Sequence, residues 1–135
     1  MCYFPVAFTV KFSTNHSNPI GNQSVLQCDQ VVSNRGSGYN VTSGKFTAPV
    51  AGDYVFFLTI TSVNNPGPVE FMLVKDGPAL ELVHAAGSQS QRSQGSTLVT
   101  THLAAGEQVW VRQQNGNAVG GALWTLFTGY LLHAD

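Results

Sequence analysis

The chain has 135 residues, a length typical of one domain with an ordinary hydrophobic core that needs no metal or disulfide scaffold. Six basic and seven acidic side chains give a net charge of −1, which excludes a bulk attraction for nucleic acid or an anionic membrane. Apolar residues make up 43% of the chain, so it is not disordered by composition, yet no apolar run approaches the roughly 18 residues of a membrane helix.

The composition predicts an all-β chain. Glu and Lys, which normally coat helices, together number six, while Gly, Ser, Thr and Asn are abundant. Apolar β-prone runs alternate with Gly, Pro and Asn clusters about every ten residues, as in a sandwich or barrel. The predicted strands are 6–12, 25–32, a short hairpin over 41–46, 54–61, 69–75, 80–86, 97–103, 108–112 and 123–132.

The connections between the later strands differ in length in a regular way. If successive strands from Tyr54 onward are antiparallel, the long connections 64–68, 87–95 and 114–121 share one end of the molecule. The tight Asp76-Gly77 hairpin and the turn at 104–106 share the other end. Ligand-binding residues concentrate on loops, so the long connections predict where a ligand binds, although long loops are also simply tolerated there.

Several spaced motifs resemble the globular C1q domain. They are Gly38-Tyr-Asn40, Gly44-Lys-Phe-Thr-Ala-Pro49, Gly52-Asp-Tyr-Val-Phe56, Leu103-Ala-Ala-Gly-Glu-Gln-Val-Trp-Val111, the opening Val6-Ala-Phe8 and the closing Phe127-Thr-Gly-Tyr-Leu-Leu132. The resemblance covers roughly residues 5–133, nearly the whole chain. It implies an all-β, ten-stranded antiparallel jelly-roll sandwich, shared with the tumour necrosis factor family, that assembles as a compact trimer. Residues 1–4 are then expected to be a disordered or expression-derived start.

Glycines and apolar strand faces give independent reasons for these motifs. Gly44 and Gly52 lie where turns need a positive φ or a close backbone approach, and Gly129 in an apolar strand indicates that a backbone or ring comes close. The runs 54–60 and 123–132 are apolar on both faces, although a jelly roll needs one apolar face per sheet. The surplus face predicts a partner subunit. The residues expected near a three-fold axis are Val55, Phe57, Phe127 and Leu131.

No catalytic pattern is found in the sequence. There is no G-x-S-x-G elbow, no H-E-x-x-H pair and no glycine-rich phosphate loop, and the four histidines are far apart. We therefore expect a chain that is not an enzyme. The resemblance implies that a calcium ion can lie near the trimer apex, but these loops offer amides rather than carboxylates, so at most weak calcium binding and no other cofactor is expected.

The long connections are rich in amides and hydroxyls. Amide side chains donate and accept hydrogen bonds and so suit sugar hydroxyls, and arginine grips a carboxylate or phosphate with two bonds. The alternative is that these side chains only keep exposed loops soluble. The candidate ligand residues are Asn64, Asn65, Gln91, Arg92, Arg112, Gln114, Asn115 and Asn117.

The cysteines and the glycosylation sequons give information on the cellular compartment of the protein. Cys2 and Cys28 are either two unpaired thiols or a disulfide. Asn15, Asn22 and Asn40 begin glycosylation sequons, which favour a secreted, extracellular chain.

The leading functional expectation is a secreted pattern-recognition protein of innate immunity, lectin-like, that binds microbial or cell-surface glycans or lipopolysaccharide through trimer loops. An alternative is a C1q/TNF-type protein ligand that binds a cell-surface receptor through grooves between subunits. A structural or storage trimer without a specific ligand is a third reading.

Overall fold

A computed structural model describes residues 5–11, 24–62, 67–87, 93–116 and 125–135. Within these ranges the chain forms ten β-strands in two five-stranded antiparallel sheets, so the all-β jelly-roll prediction is confirmed. The strands are β1 Ala7–Lys11, β2 Gln30–Arg35, β3 Tyr39–Asn40, β4 Lys45–Thr47, β5 Gly52–Ser62, β6 Gly67–Lys75, β7 Ala79–Gly87, β8 Ser93–Leu103, β9 Gln108–Gly116 and β10 Leu126–Ala134. The expected start at residues 1–4 lies outside the described residues.

The first sheet has the strand order β2-β1-β10-β5-β8 and the second has the order β3-β4-β9-β6-β7. In β5 the side chains of Tyr54, Phe56 and Leu58 are fully buried in the core between the sheets. Successive residues of a strand point to opposite faces, so Val55 and Phe57 lie on the outer face of the first sheet. Such two-sided apolar character is typical of a strand covered on both faces.

Aromatic rings fill the centre of the core. Phe8 of β1 stacks on Phe46 of β4 with ring centroids 4.9 Å apart, which ties one sheet to the other. Phe127 meets Phe8 edge to face at 5.0 Å and stacks on Phe56 at 6.2 Å. Such pairs contribute about 0.5–1.5 kcal/mol each beyond the burial of their area.

Turn chemistry explains the tightest connections. Asp76 and Gly77 both have positive φ, 49° and 119°, and the amide of Lys75 donates to the carbonyl of Pro78 at 3.0 Å. The predicted Asp-Gly hairpin between β6 and β7 is therefore confirmed. Gly44 also has a positive φ, 74°, and its Cα faces the carbonyl oxygen of Leu26, so a side chain there would be strained and crowded.

The predicted strand over residues 25–32 is wrong in its bounds. Its first half is irregular, with one isolated bridge between Val25 and Arg112, and β2 begins only at Gln30. Leu26 and Cys28 are buried in the core while Gln27 is exposed, so this segment alternates like a strand without pairing along its length. Burial, rather than a hydrogen-bonded ladder, produces the apolar pattern.

Candidate functional site

The long connections leave the sandwich at one end. Ser62 at the end of β5 pairs with Ser93 at the start of β8 in the first sheet. In the second sheet Gly67, at the start of β6, pairs with Gly87 at the end of β7. The end of β9 lies there as well, because Gly116 pairs with residue 69. The register thus confirms the prediction that these connections share an end, which we call the long-loop end. Their predicted bounds are wrong, because the strands extend further and leave 63–66, 88–92 and 117–125 as the connections.

The candidate ligand residues divide between the described and the undescribed parts of the chain. Residues Asn64, Asn65, Gln91, Arg92 and Asn117 lie outside the described residues. Asn115 belongs to β9 and pairs with Glu70 along the backbone. Gln114 is half-buried in the same strand.

Arg112 lies away from the long-loop end. It is in the middle of β9, opposite Met72 of β6, and four residues before the strand ends at Gly116. Four residues of strand span roughly 13 Å. Arg112, which the sequence places beside the loop residue Gln114, therefore lies within the strand, and its side chain is on the outer face of the second sheet.

Two residues that were not among the predicted site residues lie on the same sheet face as Arg112. Lys45 of β4 lies directly opposite Trp110 of β9, and its Nζ is 4.2 Å from the centroid of the Trp110 ring, a cation–π contact. Trp110 and Arg112 alternate with the buried Val109 and Val111, so they share the outer face. A signal for Trp110 was present in the sequence, because it is an aromatic residue at a position of the alternating strand 108–112 where a polar, outward-facing residue is expected. We call Lys45, Trp110 and Arg112 the cationic strip.

The guanidinium of Arg112 is poorly satisfied. Its Nε is buried and has no hydrogen-bond partner among the described residues, and its Nη2 donates to the thioether sulfur of Met72 at 3.3 Å. A thioether is a weak acceptor. Among the described residues, the carboxylate of Glu70 lies on this face but pairs with Nδ1 of His84 at 3.2 Å. No described carboxylate lies within ion-pair distance of Arg112.

The outer face of the first sheet is apolar near its middle. Val55 and Phe57 of β5 lie between Tyr130 and Thr128 of β10 on one side and β8 on the other. Leu98 of β8, opposite Phe57, is 63% exposed and Tyr130 is 44% exposed. We call Val55, Phe57, Leu98 and Tyr130 the apolar patch.

Two residues expected at the three-fold axis take a different place. Phe127 is 1% exposed and packs in the core, so it cannot share an outer surface with Val55 and Phe57. Leu131 is partly buried and packs against the same core. The residues of β10 that face outward beside Val55 and Phe57 are Tyr130 and Thr128, one position away. The interface itself stays a prediction.

Cys28 is a free thiol in the core. Burial raises its pKa to about 12, a hydrogen bond with Tyr39 opposes that rise, and the nearby Asp29 adds to it. Burial likewise raises the pKa of the Tyr39 hydroxyl, which accepts a hydrogen bond from the Cys28 amide at 3.2 Å. Cys2, the other half of the disulfide alternative, lies outside the described residues.

Asn40 is the one sequon asparagine within the described ranges. Its side chain is exposed, and its Oδ1 accepts hydrogen bonds from the amides of Thr42 and Ser43, at 2.8 and 3.3 Å. Asn15 and Asn22 lie outside these ranges. Glycosylation therefore stays a prediction.

The same part of the chain bears on metal binding and on membrane spans. No three His, Cys, Asp or Glu side chains of the described residues come together in a way that could hold a metal ion. None of those residues forms a helix long and apolar enough to cross a membrane.

Comparison with known proteins places the fold in a family. The family model of the C1q domain matches residues 7–132. The globular domain of zebrafish complement 1qA is similar in structure, with a TM-score of 0.79 and 19% identity over 96% of this chain and 99% of that chain. Eiger TNF from S. frugiperda gives 0.76 at 11% identity, covering 98% and 96%. Murine APRIL gives 0.71 at 12% identity, covering 95% and 99%. At these identities the structural likeness shows the fold, whereas the family match spans nearly the whole sequence. The chain belongs to the C1q domain family.

Proposed function

We propose that the protein is a secreted, non-enzymatic recognition protein of innate immunity that assembles as a homotrimer and binds microbial glycans or lipopolysaccharide. The observation that supports this best is the clustering of the long connections at one end of a rigid sandwich. Loops held on a stable scaffold are where binding residues concentrate. The amide-rich sequence of these loops matches the donors and acceptors of sugar hydroxyls.

The apolar patch supports the trimer. Phe57 and Leu98 face each other across β5 and β8, and Tyr130 extends the patch onto β10. Exposed apolar patches of this kind mark contact surfaces. A trimer presents its three long-loop ends together, so weak single sites gain affinity through effective concentration rather than through new contacts.

A glycan array on the purified protein at a verified oligomeric state tests the function. We expect selective binding to mannose-type, sialylated or lipopolysaccharide glycans, read with and without calcium to test for a weak ion site between subunits. Replacing Arg92 and Asn115 together is expected to remove that binding while leaving the trimer intact. A clean negative array from a verified trimer would contradict the lectin proposal and favour the receptor-ligand alternative, to be followed by a receptor pulldown from cell surfaces.

A further inference from the structure

We infer that the cationic strip on the outer face of the second sheet is a second binding site, which takes the acidic group of a saccharide. The inference rests on the proposed function in one respect, because it names the glycan class that the protein prefers. It concerns a different surface, since Arg112 lies mid-strand and away from the long-loop end.

The resting position of Arg112 is the first argument. A buried polar atom in a folded protein nearly always has a partner, and an exception requires an explanation. Among the described residues Nε has none, and Nη2 donates to the sulfur of Met72. Moving the guanidinium outward to an oxyanion therefore gives up few hydrogen bonds. In return the guanidinium gains charge-assisted, bidentate hydrogen bonds, which carboxylate, sulfate and phosphate groups accept.

Charge complementarity is the second argument. Lys45 lies opposite Trp110, and Arg112 is two residues further along the same strand face, so the two cations are diagonal neighbours about 7–8 Å apart at Cα. Glu70, an acidic residue of the described part of this face, is hydrogen-bonded to Nδ1 of His84 at 3.2 Å and lies beyond ion-pair distance of Arg112. Lys45 is held in place over the Trp110 ring. The two positive charges thus stand on one face without a carboxylate partner among the described residues.

The surroundings favour a saccharide over a nucleic acid. Met72 and the 41% exposed Leu82 continue the row that begins with Arg112 and offer apolar contact to the C–H groups of a sugar ring. Tight nucleic-acid binding relies on many phosphate contacts, on the order of 6–10 in typical complexes. A strip with two cations cannot supply them, but it can bind one acidic group.

The experiment compares three oligosaccharides of equal length: one uncharged, one carboxylated and one sulfated. Binding to the intact protein is measured by isothermal titration calorimetry at low and high salt. We expect the acidic probes to bind more tightly than the uncharged one and to weaken as salt rises. Arg112→Gln is expected to weaken acidic-probe binding by about tenfold or more, and Lys45→Gln by a smaller factor.

Matched variants separate binding from folding. Arg35→Gln removes the same charge from an exposed position on β2 of the other sheet and should leave binding unchanged. Arg112→Lys keeps the positive charge but cannot form bidentate hydrogen bonds, so this variant should bind the acidic probes at an intermediate level. Each variant is checked by its thermal unfolding midpoint.

The outcomes distinguish this site from the proposed function. Equal binding of uncharged and acidic probes, or equal losses in Arg112→Gln and Arg35→Gln, would overturn the acidic-group site and leave the lectin proposal standing. No binding of any saccharide would overturn both. Tighter binding of single-stranded DNA or of vesicles containing phosphatidylserine than of the acidic saccharides would also overturn the site as argued.

Discussion

Gly129 of β10 lies directly against the ring of Phe56 in β5. A Cβ built on Gly129 would come within 2.7 Å of the Cδ1 atom of Phe56, closer than real Cβ contacts. The two residues are register partners, so the close approach is fixed by strand pairing. A glycine in this apolar strand was predicted to mark such an approach, and the structure confirms it.

Gly129→Ala is expected to destabilise the fold by about 1–3 kcal/mol, the usual cost of overpacking a well-filled core. The added methyl would also meet Phe8, whose Cε1 is 2.7 Å from the same point, so neither ring can turn away freely. Urea unfolding measures the loss. Phe56→Leu serves as the partner variant: the double variant should lose less than the sum of the single losses, because the smaller side chain makes room. Strict additivity would contradict the crowding account.

The sequence was enough to predict the fold class, most of the strands and the tight hairpin. Those predictions depend on local signals, namely alternation, Asp-Gly turn chemistry and the family motifs. The inner and outer faces of β10 could not be predicted, because Leu126, Phe127, Tyr130 and Leu131 are apolar at both phases of the alternation. A one-residue shift exchanges the two faces, which is why Phe127 and Leu131 were expected at a subunit interface.

Leu98→Asp is expected to convert a trimer into monomers without unfolding the subunit. Leu98 is 63% exposed opposite Phe57, so a charge there is harmless in the monomer but costs about 2 kcal/mol or more when an apolar partner covers it. Sedimentation velocity at micromolar concentration measures the change. Leu82→Asp, on the outer face of the second sheet and 41% exposed, is the matched control and should stay trimeric. A monomeric wild-type chain would refute the trimer proposal itself.

The candidate site was less predictable than the fold. The contact between Arg112 and Met72 joins residues 40 positions apart, and that between Lys45 and Trp110 joins strands from distant parts of the sequence. Such neighbours depend on strand order and register, which composition and spacing do not determine. The outward phase of Trp110 was visible in the sequence, but its cationic neighbours were not.

The side chain of Asn34 links β2 of the first sheet to β3 of the second sheet through hydrogen bonds. Its Nδ2 donates to the carbonyl of Tyr39 at 2.8 Å and its Oδ1 accepts from the amide of Tyr39 at 3.1 Å. Asn34→Ala removes both bonds and is expected to cost about 1–3 kcal/mol in urea unfolding. Asn34→Asp removes the donor and sets a carboxylate against a carbonyl, so it should cost as much or more at neutral pH.

Lowering the pH separates the two Asn34 variants. A protonated aspartic acid can donate again, so the deficit of Asn34→Asp relative to wild type should shrink toward pH 4, while that of Asn34→Ala should not. Ser33→Ala, at the neighbouring exposed position, is the control and should have little effect. If Asn34→Asp were as stable as wild type at pH 7, the two-bond link would not stabilise the fold.

The raised pKa of Cys28 predicts how the free energy of unfolding changes at alkaline pH. Its pKa is raised from an ordinary value of 9.0 to about 12, chiefly by burial. Between those values the unfolded chain loses the thiol proton and the folded chain keeps it. The unfolded state then binds fewer protons, so the free energy of unfolding falls as pH rises, by up to about 1.4 kcal/mol per pH unit from this group. The raised pKa of the buried Tyr39 hydroxyl acts in the same direction.

Two measurements test this in a Cys2→Ala background, where Cys28 is the only thiol. Urea unfolding from pH 8 to 11 should show a steeper alkaline loss than the same series on Cys2→Ala/Cys28→Ala, which has no thiol to ionise. Iodoacetamide at pH 8 should label Cys28 only after unfolding, because the reactive thiolate is disfavoured in the core. Rapid labelling of the folded protein, located by peptide mapping, would show that the thiol is accessible and ionised. Identical pH slopes for the two variants would equally contradict a neutral, buried Cys28.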